Sequence, residues 1–121
     1  MNYQTVTTED FDKKVKELSK KYRSLKADLI AFEKELLENP AMGRDLGDNT
    51  RKVRMAITSK NTCAAQSASK GKRGGARVIT CTILVNVENT DIYLLTIYDK
   101  GEQKTISKKE IKHLKAINGL I

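Results

Sequence analysis

Lys52-Val53-Arg54-Met55-Ala56-Ile57 breaks the rhythm of everything that precedes it. Val53, Met55 and Ile57 alternate with Lys52, Arg54 and Ala56, which is the period of a strand with one buried face. The same spacing sets Lys52 and Arg54 side by side on the other face. Upstream, apolar residues recur at helical spacing instead. Phe11, Val15, Leu18 and Tyr22 mark one helix face, with Thr7 or Thr8 as its N-cap and Glu9 and Asp10 in its first turn. From Ser24, Leu25, Leu29, Phe32 and Leu36 form a second stripe, widened by Ile30 and Leu37. Lys and Glu fill the remaining faces, so both helices read as amphipathic covers over something apolar. Asn39-Pro40 ends the second helix, and Gly43 and Gly47 make the linker up to Asn49 irregular.

Downstream the strand period persists. Residues 59–75 are small, polar and glycine-bearing, a loop in which 61–69 reads as a flexible segment. Residues 77–85, rich in Val, Ile and Thr, form a long strand; Glu88-Asn89-Thr90-Asp91 turns the chain, and residues 92–98 pair back as a hairpin. Ser107 and Glu110 make a capping box, Ile111, Leu114 and Ile117 a stripe, and Gly119 a stop. With residues 2–7 as a first strand, the order is β-α-α-β-β-β-α. Helices segregated from consecutive strands predict an α+β fold over residues 1–121 as a single domain. Its sheet is mainly antiparallel, and one face stays open to carry Lys52 and Arg54.

The charge distribution points to a partner. Between residues 49 and 87 there is no Asp or Glu, yet eight cations, a number equal to the net charge of +8. A one-sign patch attracts a polyanion, and nucleic acid is the natural candidate. Arg77 heads an apolar strand, where an arginine must reach solvent or meet an anion. Four Tyr, two Phe and no Trp leave little for base stacking, which argues against ordinary single-strand recognition. Cys63 and Cys81 with a single histidine make neither a disulfide framework nor a four-ligand zinc site, so no metal or cofactor is expected. Cys81 reads as a core residue, Cys63 as a free thiol, and His113 as a surface or packing residue. A two-histidine nuclease mechanism is therefore excluded within one chain. No apolar run approaches the ~20 residues of a membrane span, and residues 1–12 lack the features of a signal peptide, which predicts a cytoplasmic protein without membrane contact.

Three segments, taken in this order of elements, carry a resemblance: residues 51–56, residues 71–79 with Gly74-Gly75 before Arg77, and residues 93–100. Together they resemble the RelE/ParE superfamily of bacterial toxins, in particular its HigB-like branch, over essentially the whole chain. The resemblance implies a small sandwich of the microbial ribonuclease type. It further implies a ribosome-dependent mRNA endonuclease that cuts in the A site without a metal and is silenced by a cognate antitoxin. That antitoxin is expected to be acidic near its contact segment. In such a reaction the ribose 2′-hydroxyl attacks the adjacent phosphate in line; a proton acceptor and cations replace the histidine pair.

Carried over by position, Lys52, Arg54, Arg77 and Lys100 would form the catalytic set. Docking on ribosomal RNA would fall to Arg51, Lys60, Lys70, Lys72, Arg73 and Lys104. Arg77 would bind phosphate through its planar fork, and either Lys52 or Lys100 would act as base with its pKa depressed by neighbouring cations. Ile106 stands where some members carry a catalytic tyrosine, with Tyr98 as a substitute, and the 61–69 segment is longer than the family's usual connection. These departures leave an alternative: a toxin of the ParE branch that inhibits DNA gyrase by binding.

Overall fold

The computed structural model of the chain describes residues 2–61 and 75–121. The elements run β1 (Asn2–Thr7), α1 (Glu9–Lys21), α2 (Leu25–Glu38), β2 (Arg44–Gly47), β3 (Thr50–Met55), a 3-10 turn (Thr58–Asn61), β4 (Ala76–Leu84), β5 (Asn89–Asp99) and α3 (Lys108–Ile117). The strands make one sheet in the order β1-β5-β4-β3-β2, antiparallel throughout except where β1 joins β5. The α+β class is as expected. The order of elements is not, because the stretch read as an irregular linker contributes β2 and its hairpin to β3. The segment 61–69, Cys63 and the cations Lys70, Lys72 and Arg73 lie wholly or largely outside the described residues.

That hairpin turns on three residues at positive φ: Gly47 (88°), Asp48 (52°) and Asn49 (59°). A two-residue loop with both central residues in this region matches the twist of the flanking strands, and Asp and Asn tolerate it better than other non-glycine residues. At Gly43 (φ 92°) an added Cβ would lie 2.7 Å from the Lys52 carbonyl oxygen, so only glycine lets β2 approach β3. β2 is four residues long and mostly exposed, too short to show an apolar alternation.

The helices sit where the sequence puts them. Thr8, not Thr7, caps α1: its hydroxyl accepts from the Phe11 N–H at 3.3 Å and also bonds to the carbonyls of Leu94 and Leu95. Ser107 accepts from the Glu110 N–H at 3.1 Å, as its capping pattern predicts. At the start of α2 the buried carboxylate of Asp28 accepts from the Ser24 hydroxyl and from both the N–H and hydroxyl of Thr58. A helix N-terminus favours that negative charge, and the bonds tie the exit from β3 to α2.

α1 and α2 bury Phe11, Leu18, Leu25, Phe32 and Leu36 against Val53, Met55, Val78, Ile92, Leu94 and Ile97 on one sheet face. Ile30 is 72% exposed and Leu37 also faces solvent, so neither widens the stripe; Ile117 likewise lies outside its helix's buried face. The opposite face is not fully open: Ile111 and Leu114 of α3 pack on Ile79, Cys81 and Leu95. The buried Lys115 donates to the Asp48 carbonyl (3.1 Å) and the Thr50 hydroxyl (3.0 Å), pinning the end of α3 to the β2–β3 turn. Between β4 and β5 the register shifts: Ile79 pairs with Thr96 but Thr80 pairs with Leu94. Leu95 is the extra residue of a β-bulge.

Adjacent leucines test this layering. Leu36→Ala, at a fully buried position, is expected to cost about 3 kcal/mol in urea unfolding, against roughly 0.5 kcal/mol or less for Leu37→Ala.

Candidate nucleic-acid interface

Cross-strand register assembles the site. Arg54 pairs with Arg77, and Arg77 with Tyr98, so the three side chains form a row across β3, β4 and β5 on the face away from α1 and α2. The next row runs Arg44, Lys52, Ile79 and Thr96. Lys100 follows directly after β5, and its ammonium donates to the Lys104 carbonyl at 3.1 Å. Lys52, Arg54, Arg77 and Lys100 are thus gathered at one end of one face, beside the half that α3 covers. Among the described residues, no carboxylate pairs with Arg44, Lys52, Arg54 or Lys100.

The electrostatic consequence falls on Lys52. Its pKa is lowered from the usual lysine value, first by partial burial and then by the charges of Arg44, Lys100, Arg77 and Arg54. Like charges at cross-strand distance repel by about 1 kcal/mol in water and by several-fold more where water is partly excluded. Arg77 is only 6% exposed; burial and Arg54 weaken its hold on its proton, and Tyr98 offsets them slightly. Its guanidinium donates to the Ala76 carbonyl at 3.2 Å. An arginine remains charged in such surroundings, so a largely buried cation stands at the centre of this face.

Tyr98 is a core-edge residue. It is 6% exposed, its hydroxyl makes no hydrogen bond of normal geometry, and burial raises its pKa, an effect that the charge of Arg77 and then Thr105 partly offset. Its ring lies beside Arg77 across the β4–β5 pair. His113 is exposed on α3, in line with a surface role, and Cys81 is buried as a core residue, its thiol pKa raised by burial.

The expected docking residues scatter. Arg51 points to the other face of β3, where its guanidinium donates to the Gly43 carbonyl at 3.1 Å. Lys104 is exposed in the loop after β5, and Lys60 lies on the 3-10 turn. Arg44 is the site residue that sequence reasoning missed. Its signal was the Gly47-Asp48-Asn49 turn, which makes residues 44–47 a strand and so sets Arg44 against Lys52.

Among the described residues there is no cluster of three metal-ligating side chains and no helix long and apolar enough to cross a membrane. No family model matches the chain.

The crowding yields a pH prediction. Since folding lowers the Lys52 pKa, the unfolded state holds more protons, and stability should rise with pH in the window just below the ordinary lysine value of 10.5. Lys52→Met should remove that rise and increase Tm at neutral pH by about 2–4 °C. Thermal melts of the two proteins between neutral and mildly alkaline pH would decide it. A pH dependence common to both would remove Lys52 as its source.

Proposed function

We propose that the chain is a toxin of the RelE type, a metal-independent endoribonuclease that cuts mRNA on the ribosome. The carrying observation is the cationic cluster on one sheet face, with the Arg54–Arg77 row beside Lys52 and Lys100 and no pairing carboxylate on Lys52, Arg54 or Lys100 among the described residues. A solvated edge strand would interleave signs. This face does not, and it holds a nearly buried arginine at its centre. The five-stranded, mostly antiparallel sheet with two helices on one face and α3 on the other supports the sandwich that the resemblance implies.

The chemistry follows from placement. Lys52 is the member of the set best suited to accept the 2′-hydroxyl proton, because partial burial and then its cationic neighbours favour the neutral amine. As the 2′-oxygen attacks phosphorus, Arg77 and Arg54 meet the two negative charges that develop on the phosphoryl oxygens. Lys100 stands at the edge of the cluster, in place to support the departing 5′-oxygen. The bond to the 5′-oxygen breaks as the 2′,3′-cyclic phosphate forms, so no water, metal or redox partner is consumed. Arg44 extends the cationic track along β2, in position to hold a neighbouring phosphate. A cognate antitoxin with an acidic contact segment fits the same face.

Two measurements test this reading. Primer extension on mRNA translated in a purified bacterial system should show ribosome-dependent cuts within A-site codons, lost in Arg77→Ala. Absence of cuts from folded, antitoxin-free protein, together with inhibition of gyrase supercoiling, would instead favour the ParE-like alternative. Binding to single-stranded RNA should weaken with salt along a log–log slope of about −3.5, as about five neutralised phosphates require. A slope near zero would remove the electrostatic basis of the site.

A further inference from the structure

Asp99 ends β5 and is only 3% exposed, and burying a carboxylate is costly unless partners meet it. The fold supplies them. The Tyr22 hydroxyl, from the C-cap of α1, donates to Oδ2, and the Gly101 N–H donates to Oδ1 at 2.9 Å. The Lys21 ammonium stands 3.6 Å from Oδ2 and also pairs with Glu102. The Asp99 carbonyl accepts from the N–H groups of Glu102 (3.0 Å) and Gln103 (2.9 Å). Inside this knot sits Lys100, whose own N–H donates to the Gly75 carbonyl at 2.9 Å.

The charges facing Lys52 come from β2 (Arg44), its own strand (Arg54), β4 (Arg77) and the turn after β5 (Lys100). The first three are fixed by strand pairing. Lys100 lies one residue past β5, where only its N–H bond to Gly75 continues the ladder; its ammonium rests on the Lys104 carbonyl, in the turn that Asp99 closes. We propose that Asp99, with Tyr22, is a positioning residue for the RNA-cutting site, holding the Lys100 ammonium beside Lys52; the proposal rests on the nuclease reading. Asp99 itself touches no reacting atom, since its carboxylate faces α1 and not the cationic cluster.

Releasing Lys100 removes one repelling charge from Lys52, whose pKa then climbs back toward the ordinary lysine value. A lysine that works as the neutral base would then need a higher pH. Asp99→Ala should therefore slow single-turnover cleavage at pH 7 about tenfold for every tenfold gain in the proton affinity of Lys52, with KM little changed and the rate recovering as pH rises. Asp99→Asn, which keeps an Oδ1 acceptor for the Gly101 N–H and turns an amide N–H donor toward the Tyr22 oxygen, should retain most of the activity. In a Lys100→Ala background, Asp99→Ala should have little further effect, because both act through one ammonium.

The deciding experiment pairs this cycle with an NMR titration of the Lys52 ammonium in RNA-free protein, wild type against Asp99→Ala. A raised Lys52 pKa with non-additive losses supports the proposal. An unchanged titration in a folded variant, or losses that multiply independently, would overturn it. Should Asp99→Ala not fold, Tyr22→Phe carries the same comparison with a smaller effect. If the wild type cuts no RNA, the nuclease reading fails alone, and the titration still tests whether Asp99 places Lys100.

Discussion

Burial of Val53, Met55, Val78 and Ile97 under α1 and α2 governs the rest of this structure. In a pleated sheet, placing those residues inward sends their neighbours outward, and antiparallel register then lines the neighbours up. Arg54, Arg77 and Tyr98 become one row because Met55, Ala76 and Asp99 pair in the adjoining one. A slip by a single residue would bury the arginines and expose the core. The hydrophobic effect thus fixes a cluster of like charges that electrostatics alone would disperse.

Such a cluster opposes folding, and the fold contains it by local anchoring. Asp28 secures the chain leaving β3, Lys115 pins α3 to the β2–β3 turn, and Asp99 closes the turn after β5. Each is a buried charge with hydrogen-bonded partners, the condition under which a buried charge is tolerated. They lie around the cationic face rather than within it, so they brace the repelling residues without neutralising them. The repulsion that remains is a cost to the fold that opposite charge brought to this face would lower.

The sequence carried much of this plainly. Alternation in 52–57 placed Lys52 and Arg54 on one face, and the stripes of α1 and α2 named the core residues Phe11, Leu18, Leu25, Phe32 and Leu36. Arg77, at the head of an apolar strand, was visible as an anomaly before its neighbours were known. Other features were hidden because they depend on contacts distant along the chain. β2 is too short and polar for a period to register, so Arg44 stayed out of view until the turn at Asp48 and Asn49 was seen. Ile30 and Leu37 fit a helical stripe by spacing, yet both face solvent, off the side of α2 that packs on the sheet. Burial of Asp28, Asp99 and Lys115 has no local signal at all, since each partner set is assembled from separate elements.

The bulge at Leu95 has an outcome for charge as well as for shape. Strict alternation from Ile92 would put Tyr98 among the core residues beneath the helices and turn the Asp99 side chain toward Arg77 and Lys52. One inserted residue exchanges those two destinations. The carboxylate goes to Tyr22 and Lys21, and an uncharged ring lies beside Arg77. β5 thereby acts as a sorter of sign: a backbone irregularity, and not any choice of side chain, keeps the fold's own anion off the cationic face.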